Sequence, residues 1–338
     1  MTETRKTWFH RLAWVALALT FVVVVLGAYV RLSDAGLGCP DWPGCYGQLD
    51  VPDEAQQIAR ANEAYPHRPV EPAKAWKEMV HRYFAGALGV LVLALAVLAW
   101  RSRSAVRQPL ALPLFLVVLI VFQALLGMWT VTWQLKPVVV MAHLLGGLAT
   151  LGLLAWLVLR QGGYGLEAVA ADHGALCNYA LLGLVLLVAQ IALGGWTSAN
   201  YAALACPDFP TCQSRWWPPT DFKEAFTLWR GLGVSYEGGV LANEARVTIH
   251  LMHRLGALAV FLYLGWLSWR LMAAGHSRAL RFGGLVVAAL LAGQLALGIA
   301  NVLLRLPLPV AVAHNGGAAL LLLALVALNH LVRPETAA

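Results

Sequence analysis

Eight apolar stretches constrain this chain more than any other feature. They run at about 12–30, 80–100, 111–131, 138–159, 175–196, 248–269, 282–304 and 308–331. A helix rising 1.5 Å per residue needs about 20 residues to cross the hydrocarbon core of a bilayer, and each run is of that length. Inside lipid every backbone N–H and C=O must find its partner within the protein, so only helices and closed barrels cross. Barrel strands alternate in polarity over about ten residues, whereas these runs are continuously apolar. The fold class expected is therefore an all-α integral membrane protein with eight transmembrane helices. A composition 60% hydrophobic and 12% charged agrees with it.

Cationic residues set the expected orientation. Arg5, Lys6 and Arg11 precede the first run, Arg101, Arg103 and Arg107 follow the second, and Arg270, Arg278 and Arg281 lie between the sixth and seventh. The long loops, about 31–77 and 197–247, mix acids with bases. Both termini are thus expected in the cytoplasm and both long loops on the outer face. The same bias accounts for the net charge of +7, which leaves nucleic acid without support as a partner. The first run has the basic start of a signal peptide, but no small-residue cleavage site precedes Tyr29, and a counterpart of the run recurs mid-chain.

That recurrence is an internal repeat. At an offset of 167, Leu26-Gly27 meets Leu193-Gly194, and the segment Cys39-Pro-Asp-Trp-Pro-Gly-Cys45 meets Cys206-Pro-Asp-Phe-Pro-Thr-Cys212. After a five-residue insertion His81-Arg82 aligns with His253-Arg254; near an offset of 171, Gln123 and Gly127 match Gln294 and Gly298, and His143 matches His314. The expectation is two tandem four-helix bundles, residues 1–165 and 166–338, each with an even number of spans. They would be related by a pseudo-twofold along the membrane normal and fused through a short Gly- and Ala-rich stretch near 161–173. Gly27, Gly127, Gly194 and Gly298 read as close-packing positions between helices, and Gln123, Gln190 and Gln294, one turn before three of them, as interhelical hydrogen-bonding residues.

Four histidines occupy matching places in the two copies: His81 and His143, then His253 and His314. An ionisable residue inside a span is a functional candidate by default. These four lie roughly 5–10 Å below the outer boundary on alternate helices. Each half can therefore present two imidazoles at one depth, the axial ligand set of a six-coordinate haem iron. With two ligands per half and no membrane-embedded thiolate, haem fits better than zinc. Arg82 and Arg254, each following a histidine, read either as partners of haem propionates or as side chains snorkelling to the headgroups. His10, His67, His173, His276 and His330 fall at ends or in loops and read as ordinary surface residues.

The halves differ at one telling place. Glu78 lies three residues before His81, whereas the residue aligned with it is His250. Residues i and i+3 share a helix face, so Glu78 can approach whatever His81 ligates, relaying protons or stabilising positive charge during oxidation. An interfacial charge is the plainer alternative. The asymmetry makes the first half the reactive one. Four cysteines form two C-x5-C motifs in the long loops. Their spacing permits the disulfides Cys39–Cys45 and Cys206–Cys212, and the repeat favours that local pairing among the three possible. A redox or covalent role in turnover competes with a purely structural one. Cys177 reads as a packing residue.

Taken together, the duplicated four-helix pattern, the Glu78-Met-Val-His81-Arg82 segment, His143, His253, His314 and the Gly38-Cys39-Pro-Asp-Trp-Pro-Gly-Cys45 loop resemble the haem A synthase family, from about residue 10 to 331. The cysteine pairs resemble one subgroup of it.

The resemblance implies an oxidoreductase that converts the C8 methyl of haem O to a formyl group through hydroxylated intermediates, with water as the oxygen source. The product is haem A for terminal oxidases. His81 and His143 would hold substrate or product haem, His253 and His314 a haem b cofactor, and Glu78 would be the catalytic carboxylate. It further implies a bacterial-type inner membrane, haem O synthase as partner, an electron acceptor the sequence does not name, and a homo-oligomer. A di-haem b-type electron carrier or quinol-linked cytochrome is the competing class. Many such cytochromes stack haems on opposite membrane sides, whereas these histidines are expected on one. A haem transporter or chaperone is a third class, and a carboxylate beside only one histidine pair argues against it.

Overall fold

A computed structural model describes residues 3–103, 110–162, 173–273 and 277–333. The expected boundary at 165/166, Arg107 and His276 lie outside these segments. The described residues form helices and no β-strand. In chain order they are α1 (Glu3–Leu32), α2 (Ala55–Ala64), α3 (Pro72–Arg101), α4 (Ala111–Thr132), α5 (Pro137–Gln161), α6 (His173–Ala199), α7 (Phe222–Ala225), α8 (Asn243–Met272), α9 (Arg278–Leu303) and α10 (Leu308–Leu331). Among these, eight are long and apolar enough to cross a membrane.

Two expectations about extent need correction. Helices α3 and α8 begin at Pro72 and Asn243, not near 80 and 248, because their first turns are polar and belong to the loop face. Glu78 and His81 accordingly sit two turns or more inside a continuous helix. The long loops also carry short helices, α2 and α7, that hydropathy gave no reason to expect.

Packing follows the repeat. In the first half α1 packs on α3, α3 on α4, α4 on α5 and α5 on α1, while α3 and α5 do not touch. In the second half α6, α8, α9 and α10 close the same ring, with α8 and α10 apart. The two rings join through α1 on α10, α5 on α6 and α5 on α10. Helices bearing each pair of histidines are thus diagonal partners.

Between lipid-facing helices there is little hydrophobic drive, so close contact and interhelical hydrogen bonds hold the bundle. Leu95 of α3, Leu151, Leu154 and Leu157 of α5, Leu264 and Leu267 of α8 and Leu325 of α10 are fully buried. Asn329 donates to the Ala180 carbonyl at 2.9 Å, tying α10 to α6, and the Tyr263 hydroxyl to Tyr179 O at 2.9 Å, tying α8 to α6. This solid core lies at the end away from the long loops. Towards the loops it loosens: on α5, every residue from 140 to 147 is only half-buried.

Short turns fix where α5 and α10 begin. Gln134 and Leu135 have φ of 49° and 60°, and their counterparts Arg305 and Leu306 have 58° and 61°. Adjacent non-glycine residues in this left-handed region cost about 1–3 kcal/mol each, so their recurrence at equivalent positions marks a geometry the fold enforces. Immediately after these turns, Pro137 and Leu308 start α5 and α10, and His143 and His314 follow six residues later in both.

The loop face is stitched across the two halves. Arg31 donates to Ser198 O at 2.7 Å and lies over the Tyr201 ring, 4.2 Å from its centroid. Arg68 pairs with Glu237 at 2.9 Å, and Tyr236 N–H donates to Gln134 O at 3.0 Å. Lys136, 1% exposed, donates to the Gly231 carbonyl with its ammonium 3.1 Å from the Trp229 ring centroid. A distal segment of the second loop therefore lies on the first bundle.

Candidate functional site

Each of the four histidines is backed by a glycine of a neighbouring helix. A Cβ on Gly27 of α1 would stand 3.1 Å from His81 Cε1; on Gly127 of α4, 3.5 Å from His143 Cε1. In the second half the same test puts Gly194 of α6 at 3.1 Å from His253 Cε1 and Gly298 of α9 at 3.2 Å from His314 Cε1. The expectation of close packing between helices holds at these glycines, and what packs against each of them is an imidazole ring of the neighbouring helix. All four rings are half-buried rather than sealed in the core. His81 lies within electrostatic reach of His143, and His253 within reach of His314. Each bundle thus holds two imidazoles on diagonal helices, at the level where its core opens.

Above each pair the disulfide loop is clamped by residues of the same helix. Cys39 and Cys45 are joined, as are Cys206 and Cys212. Glu78, 5% exposed, accepts from the Cys39 N–H at 2.9 Å and from Arg82 at 2.5 Å. Arg82 also donates to the carbonyls of Asp41 at 2.9 Å, Pro43 at 3.2 Å and Gly44. The second half repeats the clamp with a ring in place of the carboxylate. There the Cys206 N–H points at His250 Nδ1 at 3.4 Å, and Arg254 donates to His250 Nε2 at 3.2 Å. Arg254 also donates to Thr211 O, Cys206 O and Asp208 O at 2.8–3.0 Å. In both halves the guanidinium is occupied by its loop.

Aspartates close the loops from within. Asp41 accepts from the N–H groups of Tyr46 and Gly47 at 2.6 and 2.7 Å. Asp208 accepts from Gln213 and Ser214 N–H and from the Thr211 hydroxyl, and that hydroxyl bond first, with the two amides, holds its carboxyl below the usual carboxylate range. Tyr46, in the small core beneath the first disulfide, is pushed up to about 12 mainly by burial and donates to Pro69 O. Cys177 lies apart from all this, its thiol 2.9 Å from Val332 O.

Sequence reading singled out the histidines, Glu78, the arginines and the cysteines; the structure gathers them into two equivalent stacks, loop over clamp over imidazole pair. The interhelical hydrogen bonding expected of the glutamines is present at Gln190 and Gln294, and the partner that the sequence reading did not name is a histidine. Gln190 Nε2 lies 3.0 Å from His253 Nδ1 and donates to His253 O at 2.9 Å; Gln294 Nε2 lies 3.4 Å from His314 Nε2. A signal existed in the repeat, since Gln precedes three of the four histidine-facing glycines by one turn.

Fold and site together define a class: a polytopic helical membrane protein of duplicated four-helix units, each with a diagonal imidazole pair beneath a disulfide-closed loop. The chain belongs to the COX15-CtaA family, whose model, described as cytochrome oxidase assembly protein, matches residues 10–326. It is 48% identical over 324 residues to a protein of Shewanella oneidensis named heme A synthase, with 96% of each chain covered. It is also similar to proteins of the same name from Halalkalibacterium halodurans (29% identical, 87% and 86% covered) and Nitrosospira multiformis (29%, 95% and 92%).

Proposed function

We propose that the chain is a haem A synthase, oxidising the C8 methyl of haem O to a formyl group, with haem O and haem A held between His81 and His143. His253 and His314 would hold a haem b, which would supply a one-electron redox centre for passing electrons to an external acceptor. Several features support haem at these places. Each unit offers two imidazoles from diagonal rather than adjacent helices, and a glycine of a neighbouring helix faces each ring.

The observation that carries the assignment of roles is the single break in the duplicated clamp: Glu78 where the second half has His250. Both carboxylate oxygens are held, one by Arg82 and one by Cys39 N–H, so Glu78 acts from a fixed position as an anion. A fixed negative charge one turn from His81 favours positive character developing on the substrate carbon as electrons leave. Methyl to formyl is a four-electron oxidation in which water supplies the oxygen and four protons are released, the electrons passing to the external acceptor. Arg82 and Arg254 shape the loops above the two sites and remain candidates for the propionates only if a bound haem draws them from the loop carbonyls.

This reading places both termini in the cytoplasm and the long loops outside, in a bacterial-type inner membrane, with haem O synthase as the supplier of substrate and a homo-oligomeric assembly. Haem O, carrying a farnesyl tail, enters laterally from the bilayer. The test is co-expression with a haem O synthase, followed by extraction of non-covalent haems and identification by chromatography and mass. Hydroxylated haem O and haem A are expected. Haem O persisting alone in active membranes would overturn the assignment.

A further inference from the structure

Three of the four histidine corners share a second motif that the fourth lacks. Three residues after His143, His253 and His314 stand Gly146, Gly256 and Gly317, and a Cβ on any of them would run into Gln123, Gln190 or Gln294 respectively. Glutamine and glycine notch form a matched pair. At the fourth corner both members are exchanged together: Val23 stands where the glutamine belongs, one turn before Gly27, and Phe84, 41% exposed, stands three residues after His81.

The consequence differs between the two halves. In the second, the Gln190 amide lies 3.0 Å from His253 Nδ1, and among the described residues that is the one of the four Nδ1 atoms with a partner; the Gln294 amide lies instead 3.4 Å from His314 Nε2. In the first half His81 has no amide beside it. Gln123, although buried, makes no hydrogen bond to His143 through its side-chain nitrogen. An imidazole giving Nε2 to iron carries its proton on Nδ1, and a partner there fixes ring orientation and raises ligand basicity. To accept that proton the Gln190 amide would turn its oxygen to Nδ1 and give up its Nε2–H donation to His253 O.

We propose that Gln190 is a positioning residue that locks the His253 imidazole, and that Val23 with Phe84 leaves His81 untethered, so that the second site retains its haem while the first exchanges one. This rests on the haem assignment above and gives it a physical division of labour. A cofactor must stay, whereas substrate must arrive and product must leave at every turnover.

The experiment reads haem binding and not turnover. Purified chain reconstituted with haem b is mixed with excess apomyoglobin, and haem transfer is followed by absorbance, with His81→Ala used to isolate the second site and His253→Ala the first. The first site should release haem at least tenfold faster than the second. Gln190→Leu should speed loss from the second site by about 10–100-fold, the usual range for an outer-shell partner. The exchange Val23→Gln with Phe84→Gly should slow loss from the first, and this gain cannot come from damage to the fold. Equal release rates, or rates unmoved by both variants, would overturn the proposal while leaving the haem assignment intact. Absence of bound haem b from the unmodified second site would instead sink the assignment itself.

Discussion

Glu78 and Arg82, one helical turn apart on α3, form a buried ion pair at 2.5 Å, with side chains 6% and 12% exposed. Each partner also holds the disulfide loop, the carboxylate through the Cys39 N–H and the guanidinium through carbonyls. The equivalent pair on α8, His250 and Arg254, does the same without a negative charge. A structural duty is thus shared by both halves, and a charge belongs to one.

Separating duty from charge gives the first prediction. Glu78→His copies the second-half clamp into the first, so the chain should fold and retain haem in both halves. Conversion of haem O should fall at least a hundredfold. Haem extracts resolved by chromatography check it, and normal haem A output from this variant would remove the carboxylate from the reaction.

Removing the arginines should not be symmetrical. Arg82→Ala strands the Glu78 carboxylate in a buried place, and breaking such a pair costs about 3–5 kcal/mol. Arg254→Ala loses only hydrogen bonds to carbonyls and a neutral ring, each worth about 1.5–3 kcal/mol at most in isolation. Thermal unfolding in detergent should place Arg82→Ala below Arg254→Ala, and Glu78→Gln in the Arg82→Ala background should recover part of the loss.

Glycines on the histidine rings should be sensitive where a glycine facing open space is not. Gly27→Ala and Gly194→Ala each set a methyl 3.1 Å from an imidazole carbon, so the ring must shift by a few tenths of an ångström. Haem content of the corresponding half should drop. Gly86, with nothing within 4 Å of its would-be Cβ, is the control. There alanine should leave haem content unchanged and favour the helix by up to about 1 kcal/mol.

Opening the disulfides should loosen the loops without unfolding the bundle. A bridge closing so short a loop contributes about 2 kcal/mol through the unfolded chain. Cys206→Ser with Cys212→Ser should therefore lower the melting temperature by a few degrees, read by near-ultraviolet circular dichroism, while helix content by far-ultraviolet dichroism stays constant.

Asp208 gives the second loop a pH dependence. Its carboxyl is held below the ordinary range in the folded loop, first by Thr211 and then by the Ser214 and Gln213 amides. The folded state thus binds the proton less readily than the unfolded one. Its stabilisation is complete above the unfolded carboxylate range and disappears as pH falls through the lowered folded value. Asp208→Asn should flatten the acid side of the stability profile at that loop, measured by amide hydrogen exchange of Gln213 and Ser214.

Much of this was legible in the sequence because lipid simplifies the code. Backbone groups must pair within each span, so long apolar runs could only be helices, and the repeat then counted the bundles and matched His81 to His253 and His143 to His314. The cysteine pairing was legible too, because two copies carried the same spacing. Helix starts at Pro72 and Asn243 were not, since polar first turns look like loop.

The sequence alone, then, determined eight spans, a duplication, four matching histidines and a carboxylate, Glu78, that only the first half carries. Tertiary structure decided which surfaces those residues meet: that the histidine-bearing helices are diagonal, that glycines face imidazoles, that both arginines turn to the loops, and that Gln190 reaches His253 while Val23 leaves His81 alone. These depend on how one helix is rotated against another. In a bilayer that rotation is set by close packing and a few interhelical hydrogen bonds, and apolarity, nearly uniform around each helix, carries little record of it.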